Sequence, residues 1–481
     1  MTVDPSKPQT TSLGCLFRIG VAIFAISIPI TVVILVYVLR EQQKHQDALT
    51  AEIQLIRDKA EPLTSADLGE LYRLPDGVPD ITAAYLAALA HLENEELFAR
   101  LNRLKPLCAL HRAGEEPPHR PAVWDRLAEA EQELLPFQEF LGKVEAAAGQ
   151  TGGVRYPVDF TKGWDAPIPQ TILCRSALPV LELQTICYYQ QGRFDRATGM
   201  IIALIRLAES LRYEPLLGSQ LIRIGMLQVV GRLTTFVAAD PDFSGAYLAC
   251  IQATLETVEF ESIRLPMFLG ERAGAHVTHT QPAGAERAGE WELPAGIVLA
   301  RSRPGDCATL LRWQREEVEI AKMSLPQAMA AAKFMRGKFY QECHDSRQLP
   351  RWLRNHVAIV DFLPPDTKLR WLGNAESENR ALIAFCGCER FRRVHQRDPL
   401  QLDELVPEFL ATVPADPFTG QPLSLIRWGE GNYAIYSFGE NGSDDKGQGV
   451  SEPGLGADCG VRSFLRIRLT ESFLPTAPEP E

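Results

Sequence analysis

The sequence lacks the short signatures that announce common enzyme classes: it has no Gly-x-Ser-x-Gly elbow, no phosphate-binding glycine loop, no dinucleotide fingerprint and no His-Glu-x-x-His pair. It also lacks a Cys-x-x-Cys pair. Its ten cysteines are scattered, and in a chain this large they read as buried hydrophobes rather than as a disulfide framework. An excess of positive charge is missing too. With 49 Lys and Arg against 61 Asp and Glu, the formal net charge is −12, which argues against the phosphate neutralisation that nucleic-acid binding requires. At roughly 150 residues per domain, the 481 residues allow two or three domains.

Long apolar runs are absent with one exception. Residues 19–39 carry no charge, and only Gly20, Ser27, Pro29 and Thr31 interrupt the apolar side chains. At ~1.5 Å per residue the run spans about 30 Å, the thickness of a bilayer's hydrocarbon core. Arg18 and Arg40 close it at either end. The run is longer than a signal-peptide core, and Tyr37 to Glu41 offer no small-residue cleavage site. The expectation is an uncleaved, single-pass signal-anchor, with the short tail 1–18 cytoplasmic and the bulk of the chain extracytoplasmic. Basic residues flank both ends equally, so the orientation follows from the anchor type rather than from the positive-inside rule.

Beyond the anchor the texture is helical. Residues 40–60 read as a stalk leaving the membrane, Thr64 to Asp67 as a helix start, and 81–104 and 124–144 as amphipathic helices. Residues 149–169, with four glycines and three prolines, read as an irregular connection. Helical runs follow at 178–191, 195–211, 215–238 and 243–260, then at 308–323 and 327–340. Tyr188, Gly192, Phe194 and Ala197 sit at the offsets of one tetratricopeptide-like helical hairpin, without a second copy at the 34-residue period. The Ala-, Gly- and Pro-rich stretch 270–305 reads as an insertion, either disordered or a lid.

From about residue 376 the pattern changes. A helix containing Ala381, Ala384 and Phe391 leads to Asp398-Pro399-Leu400 and then to Leu402 through Leu410. Val413-Pro414-Ala415-Asp416-Pro417-Phe418-Thr419-Gly420 follows, then Tyr433 through Gly442, with Ala457-Asp458 near the end. Residues 423–427 and 433–438 are strand candidates joined by Gly429 to Asn432. In order and spacing this last fifth resembles the C-terminal part of the major pseudopilins of type II secretion. The whole chain also resembles long, membrane-anchored helical bacterial proteins in which such a block is fused to a helical region. The resemblance implies a helix followed by an antiparallel hairpin, and a calcium-binding loop after the second strand. On that implication Asn441, Ser443, Asp444, Asp445 and Asp458 would supply the oxygen ligands. The pseudopilin leader, with Glu five residues after the processed Gly, is not matched, because Ile19 or Ala25 stands in its place.

The expected fold is therefore mainly α: a transmembrane helix (19–39), a stalk and N-terminal helical region (40–150), a helical-hairpin array, tetratricopeptide-like in part (151–375, with 270–305 inserted), and a small α+β module (376–481). The expected role is a non-enzymatic, membrane-anchored scaffold for protein partners, possessing no cofactor other than calcium. The competing expectation is an enzyme whose site near Glu271, Arg272, His276 or His279 is covered by 270–305. A zinc site at His276 and His279 is disfavoured, since Val277 stands where a general-base Glu would be needed. Cys386 and Cys388 read as core thiols, and Arg390, Arg392, Arg393 and Arg397 as a solvated helix face pairing with the many acids rather than an anion site.

Overall fold

A computed structural model describes residues 12–108, 110, 117–280, 296–347, 363–429, 431–451 and 458–462. The chain is mainly helical with one small antiparallel sheet. Helix α1 runs unbroken from Ser12–Arg57 with Pro29 inside it, so the apolar run and the expected stalk are one element. Its apolar side chains from Ile28 to Leu39 stand exposed, Val33 at 68 %. Further on, Leu49 and Ile56 are buried against Cys307, Ala308 and Leu311. The stalk is thus docked on the body rather than free.

Helix α2 (Ser65–Leu71) begins as the sequence predicts. The Thr64 side chain accepts from the Asp67 amide while the Asp67 carboxylate accepts from the Thr64 amide, a reciprocal cap. The predicted helix 81–104 is broken into α3 (Thr82–Leu89), a 3-10 turn and α4 (Glu95–Leu104). Asn94 causes the break, since its side chain accepts from the Glu96 and Leu97 amides and starts a new helix. The predicted helix 124–144 likewise divides into α5 (Leu127–Leu134) and α6 (Gln138–Ala148), separated at Pro136, which has no amide proton to give.

Helices α7 (Pro169–Gln190) and α8 (Phe194–Glu209) form the expected hairpin. Gly192 turns the chain at φ +74°, and Ala197 is fully buried where the helices meet. There follow α9 (Leu217–Ala238), α10 (Gly245–Leu255), α11 (Glu261–Thr280), α12 (Gly296–Ala321), α13 (Leu325–Arg347) and α14 (Pro365–His395). Helix α9 is long and apolar enough to cross a membrane, but 67 % of its apolar stretch is buried inside the fold, as suits a core helix.

The stretch 270–305 is not an insertion in its described parts. Residues 270–280 complete α11 and 296–305 open α12, while 281–295 lie outside the described residues. Small residues stand there because neighbours come close. A Cβ on Gly270 would sit 1.7 Å from the Pro215 carbonyl oxygen, one on Gly274 2.8 Å from the Trp164 ring, and one on Gly305 2.4 Å from the His45 ring. Composition that resembles a loop here serves close helix packing.

Helix α14 is the spine of the C-terminal half and packs on α9, α10, α13 and the sheet. The strands β1 (Ser424–Gly429), β2 (Asn432–Ser437) and β3 (Cys459–Arg462) lie in that order, antiparallel throughout. The first two match the predicted hairpin; β3 was not anticipated. Ile435 on β2 pairs with Leu425 on one side and Val461 on the other, and is fully buried over α14. Cys386 and Cys388 are core residues, as expected.

A paired substitution tests the packing account. Gly270→Ala should destabilise the protein by about 3 kcal/mol or more, because rigid backbone cannot yield. Gly225→Ala, within α9 where a Cβ meets nothing within 4 Å, should stabilise by up to ~1 kcal/mol. Urea unfolding of detergent-solubilised full-length protein measures both.

Candidate functional site

The C-terminal module is organised around buried carboxylates. Asp416 accepts from the Phe418 amide (2.9 Å), the Phe438 amide (3.0 Å), the Thr419 hydroxyl (2.9 Å) and the Ser437 hydroxyl (2.6 Å). It thereby ties the 416–420 turn to the end of β2. Glu389 on α14 accepts from the Tyr433 hydroxyl at 2.8 Å and from Arg393 at 2.8 Å, fastening the hairpin to its helix. Asp398 accepts from the Gly431 amide at the hairpin turn.

The loop after β2 holds the expected ligand residues. Asn441 donates to Asp445 at 3.1 Å, and the Ser443 amide donates to Asn441 at 2.9 Å. Asp444 accepts from the Tyr436 hydroxyl and from the Lys446 amide. Asp458 reaches this loop from the start of β3 and accepts from the Gly447 amide at 2.7 Å. Its other oxygen, Oδ1, is buried without a partner. Burial raises the Asp458 carboxyl above its usual range, and the nearby charges of Asp445 and Asp444 push the same way. Asp444, Asp445 and Asp458 are therefore close enough to feel one another. Among the described residues, no three acidic, histidine or cysteine side chains are already gathered to hold a metal.

Among the described residues, those of the competing enzyme expectation make contacts within the fold, while residues 281–295 of the expected cover lie outside the described residues. Arg272, fully buried, donates to Glu61 at 2.6 Å and to the Pro62 carbonyl, while His276 contacts the Leu63 carbonyl at 2.9 Å. Burial lowers the His276 pKa, so the ring is held neutral. His279 instead packs edge-on against Trp164 at 5.8 Å. Glu271 accepts from the Leu217 amide, and burial raises its carboxyl. Three of the four thus anchor neighbouring backbone: Arg272 and His276 hold the segment following α1, and Glu271 holds the start of α9. Glu52 with Arg315 (2.9 Å) and Glu61 with Lys322 (2.7 Å) extend the α1 clamp. Burial opposes ionisation of Glu61, yet hydrogen bonds from Lys322 and Arg272 bring its carboxyl below the ordinary value.

Arg392 and Arg393 pair with Glu389, and Arg397, exposed just past the end of α14, pairs with Glu404, as the expected pairing with acids has it. Arg390 and Arg393 also bind backbone across the fold. Arg393 donates to the Phe243, Ala238 and Asp240 carbonyls, closing the C-terminal end of α9, where helix carbonyls lack partners. Arg390 reaches Gln252 and the Phe409 carbonyl, and Arg397 pairs with Glu404 at 2.6 Å. Sequence periodicity marked these residues by charge, but their backbone partners are distant in sequence.

A further buried group had no sequence signal. Lys368 of α14, 2 % exposed, lies 2.9 Å from Glu317 of α12, 1 % exposed. Asp366 beside it pairs with Arg336 at 2.6 Å. Burial pushes the Glu317 carboxyl up to about 7 although Lys368 pulls it down. This arrangement has the character of a structural ion pair, both side chains being all but fully buried.

Compared with family models, with curated proteins and with solved structures, the chain matches none.

The buried pair makes a pH-dependent prediction. Glu317 titrates higher in the folded state than the ordinary 4.5. Its contribution to stability is therefore full below about pH 4.5 and is lost as pH rises through about 7. Lys368→Met strands the carboxylate and should cost about 3–5 kcal/mol at pH 8 but clearly less at pH 5, where Glu317 is protonated. Adding Glu317→Gln should recover most of the loss at pH 8. Unfolding curves at the two pH values decide the matter.

Proposed function

We propose that the protein is a non-enzymatic scaffold of the cell envelope, anchored by the first half of α1, with its helical body on the extracytoplasmic side presenting surfaces to protein partners. The observation that carries this reading is the exposed apolar surface from Ile28 to Leu39. Apolar surface left in water forgoes about 25 cal/mol per Å², and a band of this length matches the core of a bilayer. The body that follows is joined to α1 by the part-buried Glu52–Arg315 pair and to the segment just after α1 by Glu61–Arg272, so the bilayer and the body are held in register. A setting beside type II secretion-like machinery rests on the resemblance of the C-terminal module, and the helix followed by an antiparallel hairpin over 365–437 accords with that resemblance.

Calcium is the ion we assign to the loop after β2. Asp444, Asp445 and Asp458, with Asn441 and Ser443, are hard oxygen donors, and the buried, unpartnered Asp458 Oδ1 is the observation that favours an ion there. A bound divalent cation would supply the positive charge these carboxylates lack.

Two measurements follow. After alkaline carbonate washing, the full-length protein should stay with membranes, whereas Val33→Asp combined with Leu35→Asp should release it; a wild-type protein found in the soluble fraction would sink the anchor. Crosslinking before gentle solubilisation should then bring down the same protein partners reproducibly, and a return to background would remove the scaffold. Separately, millimolar calcium should raise the unfolding temperature by several degrees, an effect expected to vanish in Asp458→Asn and to be absent with magnesium at equal concentration.

A further inference from the structure

Between α9, α14 and β3 lies a cavity of about 460 Å³, bordered also by Val450 of the segment after β2 and apart from the α1 clamp. Two arginines line it from opposite elements, Arg232 on α9 and Arg462 on β3. Among the described residues neither forms a hydrogen bond or an ion pair, and the Nε of each is shut away from water without a partner. This is unlike Arg223, Arg264, Arg272, Arg390 and Arg393, whose guanidinium groups all end on carbonyls or on side-chain oxygens. Arg462 rests over the Trp428 ring at 4.8 Å, which orients its planar fork but leaves the donors unused. Burial lowers the Arg462 pKa, and no opposing carboxylate offsets the effect.

The remaining wall narrows the chemistry. Leu227, Leu382 and Val461 are apolar, while Gln228 and Thr235 provide neutral polar groups. Glu378 also lines the cavity; burial raises its carboxyl, with Gln228 and Arg232 acting the other way. A resident carboxyl on the wall opposes a doubly charged guest such as phosphate. It tolerates a single charge placed between two forks that match carboxylate geometry. We propose that this cavity binds a carboxylate carried on a short apolar stem, with Arg232 and Arg462 holding the carboxylate and the leucine and valine side chains surrounding the stem. A small branched carboxylic acid and the C-terminal residue of a peptide both present this chemistry.

Isothermal titration of the full-length protein in neutral detergent, at fixed ionic strength and neutral pH, tests the assignment. The probes are isovalerate, N-acetyl-alanyl-leucine, the C-terminal amide of that dipeptide, and inorganic phosphate. At least one of the two carboxylates should bind with a Kd of about 1 mM or tighter, and the amide and phosphate at least roughly tenfold more weakly. Preference for isovalerate identifies a free acid as the guest, and preference for the dipeptide identifies a peptide terminus. Arg232→Gln and Arg462→Gln should each weaken binding roughly tenfold while lowering the unfolding temperature by no more than a few degrees, because neither side chain has a hydrogen bond or ion pair to lose and Arg462 gives up only its contact with the Trp428 ring. Loss of folding in one variant is met by reading the other, and by Thr235→Leu, which fills the cavity and should abolish binding. The proposal is overturned if neither carboxylate binds to folded protein, if amide and acid bind alike, or if the Arg232→Gln, Arg462→Gln double variant binds as wild type.

Discussion

A helix buried on most of its circumference must draw partners for its charged groups from its neighbours, and α14 is such a helix. It is covered by α9, α10, α13 and the sheet, so water cannot serve those groups. Glu389 is satisfied by Tyr433 and Arg393, Lys368 by Glu317, Asp366 by Arg336, and Asn379 donates to the Leu255 carbonyl. Apart from the Glu389–Arg393 bond, which stays within α14, these bonds reach β2, α12, α13 and α10 in turn. The polar demands of one helix therefore dictate where α9, α10, α12, α13 and the hairpin can lie, and the surrounding apolar contacts fill the space that these positions leave.

The same logic explains Arg393. The carbonyls at the end of α9 need donors, and this guanidinium provides them in a fixed fork. It also binds Glu389, which holds Tyr433. A chain of charge-assisted bonds thus runs from the core helix α9 through α14 to β2, making the helical body and the C-terminal module one cooperative unit. The boundary near residue 376 read from composition falls inside α14.

Local rules were legible in the sequence, and contacts between distant segments were not. The Thr64 and Asp67 cap, the Gly192 turn and the β1–β2 hairpin depend on residues within a few positions of one another, and the structure has them where the pattern placed them. Asn94 and Pro136 were local signals too, but the apolar periodicity running across them concealed the breaks. The glycines of 270–305 were misread because their reason is external: Pro215, Trp164 and His45 approach them from other parts of the chain. Of the site residues, Asp444, Asp445 and Asp458 were accessible through a resemblance, whereas Arg232 and Arg462 belong to no motif and become a pair only when β3, a four-residue strand, is laid beside α9.

The 46 residues of α1 form a rod of about 69 Å at ~1.5 Å per residue. Glu52, Lys59 and Glu61 rivet its far end to α11 and α12, and no flexible segment separates that end from the apolar half. The protein is in this respect a lever with a welded handle. Any tilt or rotation imposed on the apolar half turns the body through the same angle, and any pull on the body arrives at the other end undiminished.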